Sequence, residues 1–157
     1  MLNLKGKIAV VCGCGSHGND FGNGRAIATT LARQGARVVG VDIDKDAGEN
    51  TRDFIVKEGN LCEFYQVNMK DESEVKKLFE TLELKYNSLD ILVNVVGQSE
   101  PGGPAEISTE NWENQFSLNL DTAYYSIKKV IPIMRKNSGG SIVNISSVAG
   151  LRYVGKP

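Results

Sequence analysis

Five loop glycines and the acid Asp42 that follows them form the densest group of residues with chemical potential in this sequence. Gly13, Gly15, Gly18, Gly22 and Gly24 fall between an apolar run, Lys7-Ile-Ala-Val-Val-Cys12, and a helical pattern beginning near Arg25. Asp42 closes the next apolar run, Ala36-Arg-Val-Val-Gly-Val-Asp42. Glycines let backbone amides approach a phosphate closely, and an acid at the end of the second strand accepts hydrogen bonds from ribose hydroxyls. The chemistry this spacing suits is dinucleotide binding by a βαβ unit. The loop has two readings. Gly13-x-Gly15-x-x-Gly18 matches the G-x-G-x-x-G fingerprint, but its helix would open on Asn19, Asp20, Gly22, Asn23 and Gly24, which are poor helix formers. The second reading starts the helix at Asn23 or Gly24, with Gly22 and Gly24 as the close-approach glycines and residues 17–21 as an insertion. Propensity favours the second. A P-loop fails, because Asn19 follows Gly18 where a lysine must reach the phosphates. Cys12-x-Cys14-x-x-His17 invites a metal reading, yet His17 is the only histidine and no second ligand pair completes a zinc site, so no metal is expected.

The elements that must position these residues follow from periodicity. Residues 45–58 carry Ala47, Thr51, Phe54 and Ile55 at helical spacing, and Gly59 ends that helix. Leu61–Val67 is strand-like. Asp71-Glu-Ser-Glu74 resembles a capping box ahead of a helix with Val75, Leu78, Phe79, Leu82 and Tyr86 on one face. Leu89–Val95 reads as a buried strand and Gly140–Ser146 as a fifth. Between them a helical pattern over 109–136 puts Trp112, Phe116, Ala123, Ile127, Ile131 and Met134 on a common side, with Pro132 expected to kink or shorten it. Strands alternating with helices predict a parallel sheet covered on both faces, the doubly wound α/β architecture. Ligands of such sheets sit at the carboxyl ends of the strands. Those ends carry Gly13, Asp42, Asn68, Asn94 with Gly97, and Ser146 with Ser147.

Bulk properties narrow the class further. The 157 residues suffice for one domain with a real core, over 1–157. Eighteen Lys and Arg against nineteen Asp and Glu leave no basic stripe for nucleic acid. No apolar run is long enough to span a membrane, and no leader pattern precedes the first strand, so the expectation is a soluble cytoplasmic protein. Three cysteines, an odd number, fit reduced thiols better than a disulfide framework.

Taken together, Gly13…Gly22-Asn-Gly24-Arg-Ala-Ile-Ala28, Val41-Asp42, Asn94-Val-Val-Gly97, Asn119 within Ser117-Leu-Asn-Leu120, and Ile142-Val-Asn-Ile-Ser-Ser-Val-Ala-Gly150 resemble the N-terminal part of a short-chain dehydrogenase/reductase. The resemblance implies a Rossmann-type sheet, incomplete on its C-terminal side, and hydride transfer between a nicotinamide and an alcohol or carbonyl carbon. It makes Ser147 the residue that orients the substrate oxygen, with Ser146 its non-catalytic neighbour, and Asn119 the anchor of a proton relay. It places Gly13, Ser16, Gly22, Asn23 and Gly24 around the pyrophosphate, where the helix dipole favours an anion. Asn94 and Gly97 would line a ribose, and Asn68 would bind the adenine edge in place of the family's usual Asp. Asp42 can accept from both adenosine ribose hydroxyls and repels a 2′-phosphate, so NAD is expected over NADP. Asp20 and Phe21, in the insertion, are expected to fold over the cofactor. The family's Tyr-x-x-x-Lys pair should lie beyond Pro157. Tyr153 and Lys156 are three apart, not four, and read as the loop before the missing helix. The chain alone is thus expected to be truncated and inactive, a dinucleotide binder without turnover. Residues 98–107 would form one wall of the substrate pocket. The 109–136 helix would pair between subunits of a homodimer or homotetramer.

Overall fold

A computed structural model describes residues 3–16, 20–103 and 105–151. Five strands form one parallel sheet: β1 (Ile8–Cys12), β2 (Arg37–Asp42), β3 (Cys62–Gln66), β4 (Ile91–Asn94) and β5 (Ser141–Asn144), in spatial order β3-β2-β1-β4-β5. The chain steps outward from β1 to β2 and β3, then returns to place β4 on the other side of β1. The strand order reverses between β1 and β4, which makes their carboxyl ends the switch-point crevice of a doubly wound sheet. Register brings the ends level, since Cys12 pairs with Val41 on one side and with Asn94 on the other.

Why the central strands read as unbroken apolar runs is plain from the two layers they separate. Val10, Val39 and Leu92 pack with Val75, Phe79 and Leu82 of α3 (Glu72–Tyr86) and with Val130 and Ile133 of α5 (Thr122–Lys136). Their neighbours Val11, Val38 and Val93 face the other way, onto Ala28 and Ala32 of α1 (Asn23–Arg33) and Ile55 of α2 (Lys45–Lys57). Asp44 and Asp71 cap α2 and α3 by accepting from backbone amides of their first turns. The expected capping box is only half formed. Glu74 does not return to the Asp71 amide but accepts from the Asn68 N–H at 2.8 Å, bracing the end of β3 instead.

One expectation fails at the long helix. It divides into α4 (Thr109–Phe116), a π turn (Ser117–Asp121) and α5. A π turn holds more residues per turn than an α-helix, so the face that α4 presents is rotated relative to α5. The buried stripe is Thr122, Ser126, Val130, Ile133 and Met134, while Trp112 and Phe116 are exposed. Only Met134 of the expected stripe is fully buried. Pro132 does not shorten the helix, which continues to Lys136.

Candidate functional site

The glycine loop is built by close backbone approach. Gly13 turns at φ +85°, donating its N–H to the Val41 carbonyl, and a Cβ there would meet the Val96 nitrogen at 2.8 Å. A Cβ on Gly24 would collide with the Gly13 carbonyl, so the first turn of α1 rests directly on the end of β1. That turn begins at Asn23, as the propensity argument predicts, with Gly22 extended ahead of it. Among the described residues no side chain caps α1 and no acid stands in its first turn, so the positive end of its dipole suits an anion. Ser16 is buried. Its Oγ donates to the Asp20 carbonyl and accepts from the Gly22 N–H at 3.3 Å. His17 and Gly18, of the rejected fingerprint and the metal reading, lie outside the described residues.

Beside this loop Asp42 ends β2 with both carboxylate oxygens engaged. Oδ2 accepts from the Gly15 N–H at 2.7 Å and Oδ1 from the Asp44 N–H at 3.0 Å. Gly15 must be glycine for this, because a Cβ would sit 2.7 Å from that same Oδ2. Asp42, Gly13, Asn68 and Gly97 line one cleft of about 370 Å³, together with Gly15, Ile43, Val67, Val96, Gln98 and Leu118. Asn68 spends its Oδ1 on the Lys70 N–H, and its Nδ2 makes no hydrogen bond among the described residues. An acid, an amide donor, apolar walls and an uncapped helix end form a donor set that fits an adenine dinucleotide.

Asn94, Asn119, Ser146 and Ser147 are not among the lining residues. Asn94 is buried, its Oδ1 accepting from Ser126 Oγ at 2.8 Å and its Nδ2 donating to Asn144 Oδ1 at 2.9 Å. It thus links β4 to α5 and β5. Asn119 sits inside the π turn and clamps the chain after β4: Oδ1 accepts from the Gln98 N–H at 3.0 Å, and Nδ2 donates to the Gln98 carbonyl at 2.9 Å. Gly97 allows this, since a Cβ there would lie 2.9 Å from Asn119 Oδ1. Ser146 and Ser147 follow β5 on an exposed segment, where the Ser147 carbonyl accepts from the Gly150 N–H. Phe21 is not among the lining residues; its ring packs on Arg25 and Phe54. Tyr153 and Lys156 lie outside the described residues.

Sequence reasoning missed Ser126, Asn144 and the Gly15–Asp42 contact. A serine on a buried helical stripe and an asparagine in an apolar strand were the available signals for the first two. Cys12 and Cys14 belong to opposite layers of the core. Burial, reinforced by the nearby Asp42 charge, pushes the Cys12 thiol up to about 12 and raises Cys14 as well. Neither is suited to nucleophilic work.

The sheet order, the switch point and the glycine loop facing an acid define a doubly wound, Rossmann-type α/β domain. Residues 7–156 match the family described as short chain dehydrogenase, and the chain belongs to the short-chain dehydrogenase/reductase family. It is 31% identical to the 3-oxoacyl-(acyl-carrier-protein) reductase of Thermotoga maritima, over 96% of this chain and 59% of that protein. It is 32% identical to the 2,3-dihydro-2,3-dihydroxybenzoate dehydrogenase of Bacillus subtilis, over 93% of this chain and 54% of that one. Among solved structures, a short-chain dehydrogenase/reductase from Burkholderia xenovorans superposes with a TM-score of 0.95 at 38% identity, covering 98% of this chain and 61% of that one. A 7α-hydroxysteroid dehydrogenase complexed with NADH and 7-oxo glycochenodeoxycholic acid gives 0.87 at 32%, covering 96% and 56%. The chain therefore spans between half and two-thirds of the length of these relatives, which are named as reductases and dehydrogenases.

Proposed function

We propose that this chain is the cofactor-binding part of an NAD(H)-dependent oxidoreductase acting on an alcohol or ketone. The observation that carries the reading is Asp42, whose carboxylate is fixed at the cleft wall by the Gly15 and Asp44 amides with no Lys or Arg among the lining residues other than Lys70. A fixed carboxylate accepts further hydrogen bonds from paired ribose hydroxyls and opposes a 2′-phosphate. Gly22, Asn23 and Gly24 would face the pyrophosphate with the dipole of α1, Ser16 would shape their approach, and Asn68 would offer an amide to the adenine edge. The nicotinamide, when bound, supplies or accepts the hydride. Ser147 would hold the substrate oxygen. Asn119 would fix the loop at Gln98 and anchor the proton relay.

Copies of the chain would associate through α4 and α5, where Trp112, Phe116, Leu120 and Tyr124 recur every four residues and are about half exposed. No helix among the described residues is long and apolar enough to cross a membrane. The three cysteines are free, which supports placing the protein in the reducing cytoplasm.

Calorimetric titration of the 157-residue chain with NAD⁺ and NADP⁺ tests the cofactor reading, alongside Asp42→Asn. NAD⁺ should bind about ten- to a hundredfold tighter than NADP⁺, as losing charge-assisted hydrogen bonds costs about 1.5–3 kcal/mol. The variant should lose that preference. Equal affinity of the wild type for the two cofactors would sink it. A second reading is that these residues bind the dinucleotide without turnover; general acid–base groups contribute roughly 10²–10⁴ in rate, so the two readings differ widely in activity. An absorbance assay for NADH with a panel of secondary alcohols separates the two.

A further inference from the structure

The enlarged glycine loop is fastened to one face of α2. The Ser16 N–H donates to the Ala47 carbonyl at 3.4 Å, Asn50 Nδ2 donates to the Ser16 carbonyl at 3.4 Å, and Thr51 Oγ1 donates to the Cys14 carbonyl at 2.9 Å. One turn further on, the Phe54 ring lies 4.5 Å from the Arg25 guanidinium carbon, and the Phe21 ring lies 4.7 Å from it. The two rings meet edge to face at 5.2 Å, enclosing an arginine that is only 5% exposed. Arg25 Nη1 also donates to the Asp20 carbonyl, the same oxygen that Ser16 Oγ reaches from the other end of the loop.

This arginine contradicts its local electrostatics. A cation in the first turn of a helix faces the positive end of the dipole, and burial adds a desolvation cost. Two aromatic faces and a carbonyl are among the contacts that offset that cost. A local rule broken in the helix turn that rests on Gly13, with side chains from the glycine loop and from α2 committed to supporting it, marks a residue held for function. We propose that Phe21, Arg25 and Phe54 form a positioning stack for the cofactor's pyrophosphate. Resting on the NAD(H) reading above, the stack acts through Arg25 to hold Gly22–Gly24 against β1 and adds positive charge to the exposed start of α1. Phe21 and Phe54 do not line the cleft, so they are positioning residues.

Titration of the 157-residue chain with NAD⁺ and, separately, with adenosine, followed by NMR, tests the assignment. Phe21 is half exposed, so Phe21→Ala leaves the core intact, and its thermal midpoint serves as a check. Phe21→Ala should raise the NAD⁺ Kd about three- to tenfold and leave that of adenosine unchanged, since adenosine lacks the pyrophosphate. Phe21→Tyr, which keeps the ring, should restore the wild-type value, and Phe21→Leu should not. Unchanged NAD⁺ affinity in Phe21→Ala, equal weakening toward both ligands, or rescue by leucine overturns the stack alone. Failure of the wild-type chain to bind NAD⁺ overturns the NAD(H) reading and the stack with it.

Discussion

Asp42 owes its fixed orientation to a neighbour without a side chain. The Gly15 amide reaches Oδ2, and a Cβ on Gly15 would stand 2.7 Å from that oxygen and 3.0 Å from Ala47 Cβ. Gly15→Ala must therefore displace the carboxylate while leaving ordinary backbone angles. We expect the NAD⁺ Kd to rise about tenfold, with little change for NADP⁺. Calorimetry on that variant checks it, and unchanged NAD⁺ binding would mean that the acid is not what holds the ribose. Cys12 makes a second prediction at this scale. Its thiol is raised from 9.0 to about 12 by burial and then by the Asp42 charge. The folded state keeps a proton that the unfolded state releases, so the thiol's contribution is intact below pH 9 and is lost progressively as pH rises toward 12. Urea midpoints should fall across that window, and Cys12→Ala should flatten the fall even though it lowers the starting stability. Asp42 was legible in the sequence because its place at the end of the second strand of a βαβ unit is a matter of spacing. The partners of Asn94 were not, because Ser126 and Asn144 lie 32 and 50 residues away and meet it only through the fold.

Elements show the same division between local and non-local causes. The start of α1 at Asn23 was legible because it is decided locally, by the poor helix propensity of Asn19–Gly22. So was α2, whose Ala47, Thr51 and Ile55 are buried as their spacing predicts. The π turn was not, because a π turn shifts phase without altering composition. Its outcome is functional geometry: the turn carries Asn119, whose amide group brackets both the N–H and the carbonyl of Gln98. Asn119→Ala removes both bonds and leaves the Gln98 amide to solvent. Hydrogen exchange at Gln98 should accelerate about tenfold or more, given about 1–1.5 kcal/mol per bond, while amides of β1 and β2 keep their protection. Equal acceleration across the sheet would show that Asn119 supports the whole domain rather than this loop.

For the molecule as a whole, two apolar surfaces remain open among the described residues. One is the stripe Trp112, Phe116, Leu120 and Tyr124 along α4, the π turn and the start of α5; the other is the outer strand β5, where Val143 and, just past the strand, Ile145 are exposed. A contiguous aromatic stripe is rare on a protein that stays monomeric, and an open parallel edge is a template for pairing. The two surfaces associate by different physics. The stripe buries ring area, with Trp112 and Phe116 already in contact at a centroid separation of 5.0 Å, and would close as a symmetric helix pair. The edge forms backbone hydrogen bonds and tends to open-ended growth. Trp112→Lys with Phe116→Lys should therefore turn a dimer into a monomer in sedimentation velocity near 50 µM (about the concentration at which a modest interface is populated). Because α4 has no buried residue, the double change should leave the thermal midpoint of the monomer nearly unaltered. Val143→Lys should suppress only larger, concentration-dependent species. Were the wild type monomeric at that concentration, pairing through the helical stripe would be wrong. Were the double variant still dimeric while Val143→Lys became monomeric, the edge of β5 would be the surface through which copies meet.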